Sequence, residues 1–372
     1  MKILLLGDAS NFNCALAPAL RRRGHTVVLA SEGSGFMQTP RDIDTGRRPG
    51  KLGGLRLYLS ARAGSMWRAL RGFDVVAVHN PVFMQLRPER LRPILDGLCR
   101  RNGRLFLTAL GTDTPYMEEC LDPASRLLYN EWRLPSGPSP LALERPDIPR
   151  AWLDDGPLRR YTDYFYSRIS GAVSALYEYD LALARRLPRD RYRYGGIPVD
   201  MDAVAAGHSL DPDAPVVLFL GRHRHRMTEK GTLLLESAAR AVAARHPDLC
   251  RLEVVENRPY AEYVQLLQRA DVVLDQVYSY TPATNALLAM AMGKVAVSGG
   301  EEDYYRFIGE PELRPVVNVQ PDPADIEARL EALVTDRADM RARMAAGRTF
   351  VERHNSADVV AGRFLDCWMS DD

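Results

Sequence analysis

Residues 270–300, ADVVLDQVYSYTPATNALLAMAMGKVAVSGG, decide the fold class. Val272–Leu274 and residues 295–297 are short apolar runs, the pattern of strands buried on both faces of a parallel sheet. Between them Thr281 is placed to cap a helix, Pro282 suits its first position, and residues 286–292 supply an apolar helical body. Strand, loop, helix and strand in this order set the helix start at the carboxyl edge of a sheet. Its unpaired N–H groups and dipole would favour an anion such as a phosphate there.

The same alternation runs outward through the chain. Lys2–Leu6 reads as a strand, residues 7–11 as a polar turn, 12–23 as a helix and 24–30 as a second strand, a βαβ opening. The turn lacks G-x-G-x-x-G, so no dinucleotide cofactor is expected. Residues 31–54 read as a long polar loop, 55–70 as a helix, 73–78 and 104–108 as buried strands, and Pro88–Arg101 as the helix between them. Polar turns holding Asp8 and Asn11, His79, and Asp113 each follow a strand, so all are expected on one sheet edge. Residues 116–166, rich in proline and aromatics, read as short helices and loops that wrap the first domain or line its opening.

Gly171–Ser174 resumes as a strand, residues 195–200 (GGIPVD) as a turn, and 201–215 as a linker. Asp200 with Asp202 and Asp211 with Asp213 fall in these connections and read as turns and caps. A second βαβ series follows from residue 216 to about residue 334, and residues 337–368 are helical by pattern. The expected organisation is α/β with two Rossmann-like domains, 1–200 and 201–350, their parallel sheets facing a central cleft, and a C-terminal helix within 351–372 that returns to the first domain.

Composition constrains partners and location. The chain has 372 residues and a formal net charge of +1, yet residues 1–110 carry 18 Lys and Arg against 7 Asp and Glu, and the remainder 31 against 41. The basic half suggests an anionic partner, whether a membrane surface, a nucleic acid or a phosphorylated acceptor, and Trp67 among Arg62, Arg68 and Arg71 points to an anionic membrane surface. Neither an RNA-binding aromatic motif nor a helix-turn-helix pattern is evident, so nucleic acid is not expected. No apolar run spans a bilayer, the N-terminus reads as a strand rather than a signal peptide, and the expected location is cytoplasmic, peripheral at the inner membrane face. The five cysteines lack Cys-x-x-Cys spacing and are expected as reduced thiols, without a zinc site. His223 and His225 lie in an arginine-rich loop without a carboxylate or thiolate partner, so no metal is expected there either.

Residues 221–231, GRHRHRMTEKG, place Arg222 after a strand and Lys230 before a helix, with Gly221 and Gly231 allowing tight backbone paths. Two cations at a strand edge form a diphosphate clamp. At this point the sequence resembles the retaining GT-B glycosyltransferases, through Gly221-Arg222, Lys230-Gly231, ALLAMAMGKVAVSGG, GGIPVD, AVS at 172–174 and LFLTALGTD. The resemblance implies a nucleotide diphosphate sugar as donor substrate, no cofactor or metal, and transfer with retention to a glycan or lipid-linked acceptor. It implies donor contacts from Arg222, Lys230 and Gly221.

Departures accompany it, among them a second domain shortened between Leu249 and Tyr260. The carboxylate pair of that group would fall at Tyr280 and Leu288, and its histidine before the Gly-x-Asp turn is Leu110. Donor recognition is then expected from Tyr280, Thr281, Thr284, Asn285 and Glu302, with Asp275 and Glu301 as further candidates. Asp113 and His79 are the candidate catalytic groups, and Asp8 and Asn11 the acceptor-side residues. A catalytically silent nucleotide- or glycan-binding protein and a sugar-nucleotide epimerase are the competing readings.

Overall fold

The computed structural model describes residues 1–205, 207–223, 226–258 and 260–370. Short runs such as ILLL and VVAV are wholly buried, and each pairs in parallel with its neighbours. Among the described residues seven strands form the first sheet, in the order Ile43–Asp44, Thr26–Ser31, Lys2–Leu6, Val75–Val78, Arg104–Ala109, Gly171–Ser174, Tyr192–Tyr194. The second has five, Cys250–Glu256, Val216–Arg222, Val272–Leu274, Val295–Ser298 and Val317–Asn318, again all parallel. Each sheet doubles back once in strand order. In the first this happens between Lys2–Leu6 and Val75–Val78, in the second between Val216–Arg222 and Val272–Leu274. At such a point neighbouring connections leave toward opposite faces and open a crevice beyond the carboxyl ends of the strands.

The chain forms two compact units, one of Met1–Glu119, Asp147–Pro198 and the C-terminal helix Ala357–Met369, the other of Cys120–Pro146 and Val199–Ser356. Helices pack their apolar faces onto each sheet. In the first unit Leu91, Ile94, Leu95 and Leu98 of helix Pro88–Arg101 join Val76, Val78 and Leu107. In the second, Leu235, Ala238, Ala239 and Val242 of helix Thr232–Arg245 join Leu218, Leu220 and Leu274. Burying one such leucine contributes about 2 kcal/mol.

The expected elements shift in several places. Residues 116–166 do not all stay with the first domain, because Cys120–Pro146 joins the second unit. Tyr280 Oη accepts Leu128 N–H at 2.6 Å, Tyr129 Oη donates to Glu301 at 2.7 Å, and the two tyrosine rings lie 5.1 Å apart. The loop expected across residues 31–54 contains the strand Ile43–Asp44 and the start of helix Lys51–Ala63; the helix expected over 55–70 is this one and Ser65–Ala69. The last stretch is two helices, Arg337–His354 and Ala357–Met369, broken where Asn355 O accepts Val199 N–H at 2.7 Å. Strand Tyr192–Tyr194 had no expected counterpart.

Candidate functional site

In the second unit the crevice begins at Arg222, the last residue of its strand, and at Asp275, the first residue after Val272–Leu274. Leu220 and Leu274 are register partners, so both polar groups emerge at nearly the same height. Lys230 Nζ donates to Asp275 Oδ1 at 2.8 Å, and Val277 N–H bonds Lys230 O at 2.9 Å, tying the short helix Met227–Lys230 to the strand end. The Asp275 side chain is fully buried, whereas that of Lys230 keeps 24% of its surface open. The ammonium therefore stands at the boundary between interior and solvent.

Arg222 is gripped from two sides, by Glu236 and Glu256, each at 2.8 Å. Glu256 is its register partner on the adjacent strand, and Glu236 comes from helix Thr232–Arg245. Burial opposes ionisation of Glu236, but hydrogen bonds from Arg240 and Arg222 outweigh it and hold the carboxyl below its usual range. Both expected phosphate cations are thus already paired with carboxylates. The sequence pattern pointed to the cations; Glu236 and Glu256 carried no local signal, since only the tertiary fold brings them to Arg222.

Gly221 meets a different need. A Cβ there would lie 2.6 Å from the ring of Tyr263, which packs edge-on against Phe219 and donates from Oη to Asn285 Oδ1 at 2.8 Å. Tyr263 escaped the sequence reading, being one aromatic in an ordinary helix. Asn285 is the second residue of helix Thr284–Ala291, so strand end and helix start are linked through one phenol.

Thr281 and Pro282 do not start this helix. The residue before its first turn is Ala283, in extended conformation and without a side-chain cap, and Thr281 is buried in the preceding loop. Thr284 is its first residue. Tyr280 is committed to the segment around Leu128, and burial pushes its phenol up to about 12. Glu301 accepts from Tyr129, Asn318 and Gln320 on one oxygen. Glu302 points to the surface and pairs with Arg314. Tyr280 and Glu302 therefore do not join Lys230 and Arg222, because tertiary partners claim both. His225 lies outside the described residues.

In the first unit the corresponding crevice holds Asp8 and His79. Asp8 is buried and accepts from Asn13 N–H at 2.8 Å and Thr39 Oγ1 at 3.0 Å. Asn11 adopts a left-handed conformation just before helix Phe12–Arg22 and makes no side-chain cap. His79 Nδ1 lies 3.3 Å from Leu6 O, an acceptor, so Nδ1 carries the proton and Nε2 keeps its lone pair. Burial pushes this imidazole below its usual range, which leaves it neutral near pH 7.

Asp113 has a plainer task. It accepts Tyr116 N–H at 3.0 Å and Tyr166 Oη at 2.7 Å, which anchors the start of helix Thr114–Leu121. Burial raises its pKa to about 6, against the hydrogen bonds from Tyr116 and Tyr166. A carboxyl raised on folding favours the native state most below its unfolded value near 4, and that contribution disappears as pH rises through 6. The stability of the protein relative to Asp113→Asn is expected to fall between pH 4 and 6, by up to about 3 kcal/mol. Urea titrations at a series of pH values check this, and a pH-independent difference would contradict it.

An open cavity of about 440 Å³ also lies in the first unit, lined by Arg87, Glu89, Asp147, Arg150, Asp154 and Leu158 among others. None of the residues singled out above lines it.

No protein-family model matches the sequence, and no curated protein does. Solved structures match along nearly its whole length. They include sucrose-phosphate synthase from Thermosynechococcus elongatus, 13% identical over 99% of this chain and 98% of that one, with a TM-score of 0.62. HepE from Anabaena, in complex with UDP and glucose, is 13% identical over 98% of both chains, TM-score 0.58. A UDP-GlcNAc 2-epimerase from Neisseria meningitidis, bound to UDP-GlcNAc, is 11% identical over 100% of both, TM-score 0.51. Two parallel sheets clothed in helices, matched from end to end by these structures, give this chain the GT-B fold of the glycosyltransferases.

Proposed function

We propose that the protein is a glycosyltransferase that takes a nucleotide diphosphate sugar as donor and a glycan or lipid-linked hydroxyl as acceptor. One observation supports this reading: the Lys230–Asp275 pair stands where the strand order of the second sheet reverses, with Arg222 at the end of the neighbouring strand, the place where α/β folds of this topology bind nucleotides. HepE, of like fold, binds UDP and glucose, and the Neisseria epimerase binds UDP-GlcNAc, which is consistent with a nucleotide sugar here.

In this reading Lys230 offers its remaining ammonium hydrogens to the diphosphate, and Arg222 its outward face. The first turn of helix Thr284–Ala291 adds N–H groups. As the glycosidic bond to the diphosphate breaks, negative charge grows on the leaving oxygen and these donors stabilise it without a divalent ion. Transfer proceeds with retention. On the acceptor side, His79 Nε2 is the group that can take a hydroxyl proton, and Asp8 orders the turn beside it through Asn13 and Thr39.

A panel of nucleotide sugars tests the donor. The matching one is expected to raise the melting temperature by about 3 °C or more at a hundredfold excess over its Kd, and to yield glycosylated product with an acceptor. No shift with any nucleotide sugar would remove the proposal. A second reading is a nucleotide-binding protein without turnover. It is favoured by Tyr280 and Leu288 at the positions where the resemblance implies carboxylates. Stabilisation without donor hydrolysis or transfer would select it.

A further inference from the structure

Helix Lys51–Ala63 of the first unit has two apolar faces. Leu57 and Ala61 are buried at 5% and 0% exposure and attach it to the core. Leu52, Leu55 and Leu59 are 68%, 40% and 53% exposed. At about 100° per residue these three fall within an arc of about 60°, roughly opposite the buried pair. Three large apolar side chains in one exposed stripe are not explained by scatter of surface leucines, and no other exposed leucines of the described residues align this way on one helix.

The surroundings select the partner. Residues 45–73 carry seven Lys and Arg and no Asp or Glu. Arg56 and Arg68 are exposed, and neither has a carboxylate in ion-pair reach among the described residues. Arg56 sits beside the leucine stripe on the same helix. Trp67, expected at this surface, does not reach it. Its ring is 9% exposed, packs against Gly97 and carries Arg101 at 4.1 Å and Arg62 at 5.8 Å, so it serves as the base that holds those arginines in place.

We infer that the stripe of Leu52, Leu55 and Leu59, flanked by this basic stretch, docks on an anionic lipid bilayer. The helix would lie in the plane of the interface, with its leucines among acyl chains and its arginines at phosphate level. A second copy of the chain is a poorer occupant, since two such faces would bring like charges together. No helix among the described residues is long and apolar enough to cross a membrane, so attachment through this face is peripheral. The inference is independent of the glycosyltransferase reading, because it uses no residue of either crevice.

Flotation of the full chain with vesicles decides it. Binding is expected to vesicles of phosphatidylcholine with phosphatidylglycerol, and not to phosphatidylcholine alone. Arg56→Glu with Arg68→Glu is expected to weaken it by about tenfold or more, as is raised salt. Leu52→Ser, Leu55→Ser and Leu59→Ser together are expected to weaken it by a similar factor with melting temperature unchanged, since all three side chains are exposed. Equal recovery on neutral and anionic vesicles would overturn the inference. So would undiminished binding of the leucine variant, or a concentration-dependent dimer in sedimentation that this variant abolishes.

Discussion

Replacing Lys230 by Met is expected to lower affinity for a nucleoside diphosphate about a hundredfold or more, the scale of a lost charge-assisted contact to phosphate. The same change strips the partner from Asp275, whose side chain has no exposed surface. A carboxylate left alone inside a protein costs about 3 kcal/mol, so Lys230→Met is also expected to unfold at markedly lower urea. The two losses have different causes, and Asp275→Asn separates them. Lys230→Met with Asp275→Asn removes both charges and is expected to recover most of the stability while nucleotide binding stays weak. Asp275→Asn alone leaves a partly exposed ammonium free for phosphate, so its affinity should remain within a few fold of the parent.

Calorimetry with UDP and urea titration on the four proteins complete the cycle. If the double variant is folded and binds as the parent does, Lys230 is a structural cation and the assignment of this crevice fails. Adding Arg222→Ala to Lys230→Ala extends the test. Arg222 is held between Glu236 and Glu256, so part of its loss will appear as stability, and binding must be read at temperatures where the variant is native.

Gly7→Ala is expected to destabilise the first unit by about 3–5 kcal/mol. Gly7 follows the strand Lys2–Leu6 with φ at +90°, where a side chain is strained. Its added methyl would also lie 1.6 Å from His79 Nδ1, a distance no relaxation of the ring within its site can absorb. The imidazole would have to leave Leu6 O, taking the acceptor-side base of the proposed reaction with it. His79→Ala in the same chain opens the space but leaves the backbone strain. The pair is therefore expected to be more stable than Gly7→Ala alone by about 1–2 kcal/mol. A Gly7→Ala protein within about 1 kcal/mol of the parent would show that the turn after the first strand is more yielding than this packing allows.

The sequence alone determined that this chain is α/β with two parallel sheets, because buried parallel strands and their crossover helices announce themselves in short apolar runs and periodic faces. It also set Arg222, His79 and Asp8 just after strands and Lys230 just before a helix, since polar turns after apolar runs are local features. What those side chains do there was decided by tertiary structure. Lys230 meets Asp275 across 45 positions, and Tyr280 meets Leu128 across 152, so no window of sequence contains either pair. The same holds for the arginine clamp, whose charge is largely balanced by Glu236 and Glu256. Trp67 shows the converse limit, for a basic and aromatic sequence put it on the surface, while the space beside Gly97 took its ring inside; Leu52, Leu55 and Leu59, on a different helix, face out. Periodicity reports which residues share a face of an element, but which face the core covers depends on what packs against it.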